Sequence, residues 1–186
     1  MFDLDRFFAD CQAAVAADPT HRLVREVVTR AVSEPQAVLA ALGEPQRAGI
    51  NVLCRAPDVT VLNLVWGPGM TIQPHDHRMW AVIGIYTGRE DNIYWRRLPQ
   101  DADRAIEAAG AKSLWRGDCA ALGPDIIHSV NNPIPRLTGA IHVYGGDFLS
   151  QERSEWDPET LCERPYDVAR TRQLFENSNR VLPQAA

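Results

Sequence analysis

Apolar residues recur at a helical period through the first forty-odd positions, then gather into short, nearly continuous runs. Phe2, Leu4, Phe7, Phe8, Cys11 and Val15 fall near a 3.6-residue repeat. Asp18-Pro19-Thr20 interrupts it, and Leu23, Val24, Val27, Val28 and Val32 resume it. Ser33-Glu34-Pro35-Gln36 reads as a further helix start, with Ser33 as the cap and Pro35 in the first turn; Gly43 stops that helix before Pro45. Residues 2–44 are therefore expected to form three helices.

From Ile50 the runs are β-branched and aromatic: Asn51 to Cys54, Val59 to Trp66, Trp80 to Tyr86 and Asp91 to Arg97, separated by Pro57-Asp58, Gly67-Pro68-Gly69 and Thr87-Gly88-Arg89. Ala102 to Ala111 reads as a short helix or an acidic loop. Ser113 to Trp115, Cys119 to Leu122, Ile127 to Val130 and Leu137 to Tyr144 continue the strand series. Many short strands between Gly/Pro turns predict a mostly β chain, an all-β barrel or jelly roll. The tail after Pro158 is polar, with one helix around Val168–Phe175, and is expected to wrap the barrel. The expectation is a single domain over 1–186: helices over 1–45, barrel over 50–153 and a C-terminal wrap over 154–186.

Bulk properties narrow the function classes. The chain has 186 residues, 45% of them hydrophobic, enough for one domain with a proper core. A net charge of -5 and a pI near 5.5 argue against nucleic acid or an anionic membrane as partner. Met1-Phe2-Asp3-Leu4-Asp5 puts acid where a secretory leader carries base, and no apolar run approaches the roughly 18–20 residues of a membrane span. Cys11, Cys54, Cys119 and Cys162 are scattered without CxxC pairs, so reduced cysteines in a cytoplasmic protein are expected.

The candidate chemistry is histidine. His75 and His77 stand two apart, and on a strand such a pair shares a face. A third imidazole, His128, would complete a facial three-nitrogen set that leaves positions open on a metal. Gly69, five intervening residues, His75 and His77 form the first half of the cupin signature, closed by Gly88. The glutamate expected three or four positions on is replaced by Ala81 and Val82. Gly117, Gly123-Pro124-Asp125, His128 and Asn132 form the second signature. Three neutral imidazoles without a carboxylate leave a 2+ ion with up to three free positions, enough for a substrate held through two atoms and for oxygen.

Over about Asn51 to Arg153 the chain resembles the thiol dioxygenases of the cupin superfamily, the cysteine dioxygenase and 3-mercaptopropionate dioxygenase group. The matching text is Leu64 to Gly69, Pro74 to Gly84, Gly117-Asp118, His128 to Asn132 and Ile141 to Gly145, with three helices ahead of the barrel. The resemblance implies a cupin double-stranded β-helix, a mononuclear non-haem Fe(II) held by His75, His77 and His128, and O2-dependent oxidation of a small thiol to a sulfinate. It also implies a catalytic outer-sphere relay in which His142 and Tyr144 match and the family's serine is replaced by Ala140. Cysteine-type members hold the substrate carboxylate with an arginine ahead of the early strands. None stands at Gly49 to Asn51 here, though Arg47 and Arg55 lie close. The mercaptopropionate type uses an arginine beyond the relay tyrosine, where this chain has Arg153, whose planar fork suits a carboxylate. Ala81 and Val82 leave no cysteine for a thioether crosslink.

Plainer readings stand beside these. His142 with Tyr144 is also a common core pair, and Arg153 lies in a charged segment of the kind that is usually solvated. Trp66, Trp80 and Trp95 read as barrel core and rim, and Asp76 as a local hydrogen-bonding residue pointing away from the metal. Arg89-Glu90-Asp91 reads as a turn with surface charges and no chemistry. The competing functions are a cupin metal enzyme acting on another small substrate and a non-catalytic cupin ligand-binding or sensor module.

Overall fold

The computed structural model describes residues 1–98 and 105–182. Three helices come first: α1 (Leu4–Ala17), α2 (His21–Ser33) and α3 (Pro35–Leu42). The Asp3 carboxylate accepts from the Arg6 amide at 2.8 Å to cap α1, and the Thr20 hydroxyl caps α2. Ser33 does not cap α3. It is the last residue of α2, and its hydroxyl donates back to the Arg30 carbonyl at 2.8 Å, leaving Glu34 in the cap position without a side-chain bond. With a single residue between the two helices, the serine closes the one behind it. Gly43, at φ +82°, ends α3 as expected.

The strands are β1 (Gly49–Arg55), β2 (Thr60–Trp66), β3 (Thr71–His75), β4 (Ala81–Thr87), β5 (Arg89–Arg97), β6 (Ile106–Trp115), β7 (Cys119–Leu122), β8 (Ile127–Asn131), β9 (Thr138–Tyr144), β10 (Ser154–Trp156) and β11 (Glu163–Pro165), followed by α4 (Val168–Arg180). One sheet has the order β1-β2-β9-β4-β7 and the other β11-β10-β3-β8-β5-β6. From β2 to β9 successive strands cross between the sheets, except that β5 and β6 pair side by side. The facing orders β2-β9-β4-β7 and β3-β8-β5-β6 are those of a jelly roll. The chain is mostly β, a cupin-type double-stranded β-helix preceded by N-terminal helices.

The stretch Ala102 to Ala111 is corrected in part. From Ile106 it is strand β6, paired antiparallel with β5, while 102–104 lie outside the described residues. This strand is mostly exposed and rich in Ala and Gly, so no apolar alternation marks it. The tail is more structured than a wrap: β10 pairs with both β3 and β11, extending the second sheet. Its helix starts at Val168 but runs past Phe175 to Arg180.

Two cores explain the continuous apolar runs. Leu62, Leu64, Ile83, Ile85, Ala140 and Tyr144 face the barrel interior. Val61, Val82, Tyr86, Ile141 and Val143 turn outward beneath α1, α2 and α3. β2, β4 and β9 are covered on both faces, so they read as unbroken hydrophobic segments. Among the described residues no helix is long and apolar enough to cross a membrane.

Helix α2 sits directly on β4 at Gly84, where a Cβ would lie 2.6 Å from Val28 Cγ1 and 2.7 Å from Val32 Cγ1. Both valines are fully buried and β-branched, so neither can swing aside. Gly84→Ala is expected to destabilise the protein by about 1–3 kcal/mol through overpacking. Urea denaturation of the variant against the parent measures it, and an unchanged midpoint would contradict the close approach.

Candidate metal centre

The register of β3 on β8 places His75 directly opposite His128. Directly opposed residues share a face, so both imidazoles enter the barrel together. A one-residue shift between Ile72 and His75 sets this pairing. His77 departs from the expectation that both members of the pair lie on one strand, because β3 ends at His75. The extended path continues by other means. The Asp76 amide donates to the Ser154 carbonyl at 3.1 Å, and the Asp76 carboxylate accepts from the Ser154 amide at 2.8 Å. Arg78, at φ +56°, then turns the chain away and its guanidinium closes on Asp76 at 2.6 Å. Asp76 is thus the local hydrogen-bonding residue expected.

The three imidazoles form a buried cluster whose candidate ligand atoms all lie within 4.8 Å of one another. His75 Nδ1 is 3.0 Å from the Gln73 carbonyl, which can only accept, so that nitrogen carries the proton and Nε2 is free. His128 Nδ1 is 2.7 Å from Asn92 Oδ1. Asn92 cannot be turned round, because its Nδ2 donates to Glu90 Oε1 at 2.9 Å. His128 therefore also keeps its proton on Nδ1 and offers Nε2. His128 Nε2 and His77 Nε2 stand 3.2 Å apart. Two nitrogens bound to one divalent ion at 2.0–2.1 Å would be separated by about 3.0–3.4 Å. The tied Nδ1 atoms of His75 and His128, the close Nε2 atoms of His128 and His77, and the burial of all three rings fit a first-row divalent ion.

The electrostatics agree. Burial holds His75 down at about 4, with the Arg153 charge adding to the effect and the Gln73 hydrogen bond opposing it. Burial and the neighbouring imidazoles push His77 and His128 well below the ordinary histidine range. All three are neutral at pH 7, the form a metal requires.

His142 and Tyr144 lie on β9 facing the same interior, with His142 Nδ1 3.1 Å from the Tyr144 hydroxyl. Burial drives the Tyr144 phenol far above its usual range. Both line a cavity of about 40 Å³ with the three histidines, Arg153, Tyr166, Thr171 and apolar walls. Arg153 lies in this cavity rather than on a solvated face. Its guanidinium is stacked between the Phe148 and Tyr166 rings, 4.2 Å from each centroid. Nη1 donates to the carbonyls of Phe148 at 3.1 Å and Gln151 at 3.3 Å, while Nε is buried without a hydrogen-bond partner. Arg47 is exposed and absent from the lining. Arg55 is engaged with Asp147 at 2.7 Å.

The surface-turn reading of Glu90 is overturned. Glu90 is fully buried on β5, where its Oε1 accepts from Asn92 and its Oε2 from Trp66 Nε1 at 2.7 Å. His142 Nε2 faces the same Oε2 at 3.4 Å. Burial alone would raise this carboxyl, but His142 with the Asn92 and Trp66 donors outweighs it and holds Glu90 below its ordinary value. Arg89 and Asp91, on the opposite face, pair with each other. Sequence reasoning also missed Asn92, Phe148 and Tyr166. The available signal for the first was period two: Glu90, Asn92 and Tyr94 alternate along β5 on the face that the pairing with β8 gives to Val130 and His128. The tryptophans are core residues as expected: Trp66 in the barrel, Trp80 beneath the helices and Trp95 in a small cluster with Ile106 and Ile127.

No family model matches the sequence. Solved structures similar to it include an RmlC-like cupin family protein from Methanocaldococcus jannaschii, 10% identical over 57% of this chain and 87% of that one, with a TM-score of 0.47. A cupin superfamily protein from Desulfitobacterium hafniense is 14% identical over 59% of this chain and 88% of its own, at 0.45. Oxalate decarboxylase from Bacillus subtilis is 14% identical over 51% of this chain and 22% of its own, at 0.41. The fold assignment rests on the strand order of this chain.

A histidine depressed on folding destabilises the native state in acid, because the unfolded chain takes up its proton first. For His75 that stability is intact above about 6.5 and is lost as pH falls towards about 4. The metal-free protein is expected to lose about 3 kcal/mol across this window from His75 alone. Denaturant titrations between pH 7 and 4 measure it. His75→Gln should flatten the slope, and an equal slope in the variant would contradict a neutral buried imidazole.

Proposed function

We propose that the protein is a mononuclear non-haem Fe(II) dioxygenase that oxidises a small carboxylated thiol, 3-mercaptopropionate or cysteine, to its sulfinate: RSH + O2 → RSO2⁻ + H⁺. The observation that carries this reading is a half-buried guanidinium, its buried Nε unpartnered, lining the same small cavity as three converging imidazoles. An iron bound by His75, His77 and His128 would supply the electron exchange between sulfur and O2. Around it the protein's own groups bind and orient. Arg153, immobilised by two rings and two carbonyls, offers its fork to a carboxylate at little entropic cost. Leu62, Leu64, Ile72 and Phe148 give the thiol's short carbon stem an apolar wall. The volume excludes a bulky substrate, and Phe175 and Thr171 of α4 close the far side against water. Tyr144, hydrogen-bonded to His142, exchanges protons with the bound thiol.

The reading carries with it a cytoplasmic setting, where thiols stay reduced, and a chain acting as one unit without nucleic-acid or membrane partners. A non-catalytic binding module is separated from it by oxygen consumption.

Anaerobically reconstituted protein is expected to hold close to one iron per chain, with His75→Ala and His128→Ala losing most of it, because one imidazole of three is a large share of the coordination energy. Metal analysis checks this, and unchanged iron in both variants would remove the centre. With an oxygen electrode and sulfinate quantitation, Arg153→Ala is expected to raise KM for 3-mercaptopropionate and cysteine about 10- to 100-fold and to change it much less for cysteamine, which has no carboxylate. Equal effects would remove Arg153 as the anchor, and thiol binding without O2 uptake would replace the enzyme by the binding module.

A further inference from the structure

Behind the cavity lies a buried anion that the ligand set does not use. Glu90 accepts two hydrogen bonds from neutral donors, Trp66 Nε1–H and Asn92 Nδ2–H. The remaining group facing it is His142 Nε2, 3.4 Å from Oε2, and this buried nitrogen makes no hydrogen bond to any described residue. The far side of the same ring meets the Tyr144 hydroxyl at 3.1 Å. A carboxylate has only lone pairs to offer, so a ring nitrogen turned to it carries a proton. A neutral imidazole has one N–H, so Nδ1 must then accept, and the Tyr144 hydroxyl must donate to it.

We propose that Glu90 is the positioning residue of this pair: it fixes the proton on His142 Nε2 and so makes Tyr144 present oxygen lone pairs, not its proton, to the cavity. A relay ending in a neutral hydroxyl would leave the ring free to take either tautomer. Ala140 cannot supply even that, since it is apolar and packed in the barrel core. A carboxylate removes the choice and also stabilises the imidazolium when it forms. Tyr144 therefore accepts the proton of an incoming S–H. The S–H bond breaks as an O–H bond forms on Tyr144 Oη, the original phenolic proton moves to His142 Nδ1, and the resulting imidazolium lies between Tyr144 and Glu90. The thiol leaves its proton in the protein and binds as thiolate. Identifying the proton's source as a thiol rests on the proposed function; the tautomer does not.

The test reads the tautomer directly. Wild-type protein labelled with ¹⁵N-histidine and loaded with Zn(II), a diamagnetic ion, is examined by imidazole ¹⁵N NMR, with His142→Gln identifying the ring's signals. The expected result is a proton-bearing Nε2 and an unprotonated, hydrogen-bonded Nδ1. A proton on Nδ1 overturns the proposal, and because this measurement uses the wild type it does not depend on any variant folding. In Glu90→Gln, with folding verified by circular dichroism, the Nε2 proton is expected to be lost in favour of Nδ1 or a mixture; its full retention would show that Glu90 does not set it. With 3-mercaptopropionate as substrate, Glu90→Gln should lower kcat about 10- to 100-fold and leave KM within about twofold. A rise confined to KM would overturn the role. If the wild type oxidises no thiol at all, the proposed function fails while the tautomer assignment stands or falls on its own spectrum.

Discussion

The pairing of β3 with β8 is the contact on which the centre depends. It puts His75 opposite His128, and two imidazoles cannot be brought this close inside an apolar barrel without settling their protons. The barrel settles them with acceptors that admit no alternative, a backbone carbonyl for His75 and an amide oxygen locked in place by Glu90 for His128. What remains is an Nε2 lone pair on each of His75 and His128 turned into the barrel, with His77 Nε2 3.2 Å from that of His128. Buried lone pairs with so few donors to meet them are costly, so the arrangement favours binding a cation.

The C-terminal segment turns this set of ligands into a closed chamber. β10 adds to the edge of β3, and Glu155, fully buried, collects Gln73, Arg164, Arg170 and the Asp167 amide. Removing any one of these partners would leave a buried carboxylate short of donors, so the turn leading into α4 is held firmly. The consequence reaches the cavity: Tyr166 stacks on Arg153, and Phe175 stacks on Trp66 at 5.4 Å. The Arg153 guanidinium in the cavity and the donor to Glu90 are thus both steadied by residues lying beyond the barrel.

Much of this was legible in the sequence, for reasons that differ between residues. The helices announced themselves through period 3.6. The barrel was visible as short runs between turns, although double coverage of β2, β4 and β9 hid which residues face inward. The three histidines stood in two spaced signatures and are brought together, as are His142, Tyr144 and Arg153 around the same cavity. Glu90 was lost because a charge between Arg89 and Asp91 looks solvated. Only the pairing of β5 with β8 shows that alternate residues of this polar run point inward. Tyr166 and Phe148 were beyond reach, since no periodicity links a loop or a tail to the wall of a barrel.

The sequence departs at two points from the pattern it resembles, and both belong to one physical problem. The first signature has Ala81 and Val82 where a glutamate is expected, which would leave a bound ion's charge uncompensated by its three imidazoles. The serine of the relay it resembles is Ala140 here, which leaves no serine hydroxyl behind His142. Glu90 answers both from a single position: its charge lies one residue behind His128 through Asn92 and directly behind His142. A carboxylate moved out of the ligand set lowers the net charge of the site without occupying a coordination position. A metal bound here would gain electrostatic compensation and, under the proposed function, keep room for two small reactants, a combination that neither a ligating glutamate nor a serine hydroxyl provides.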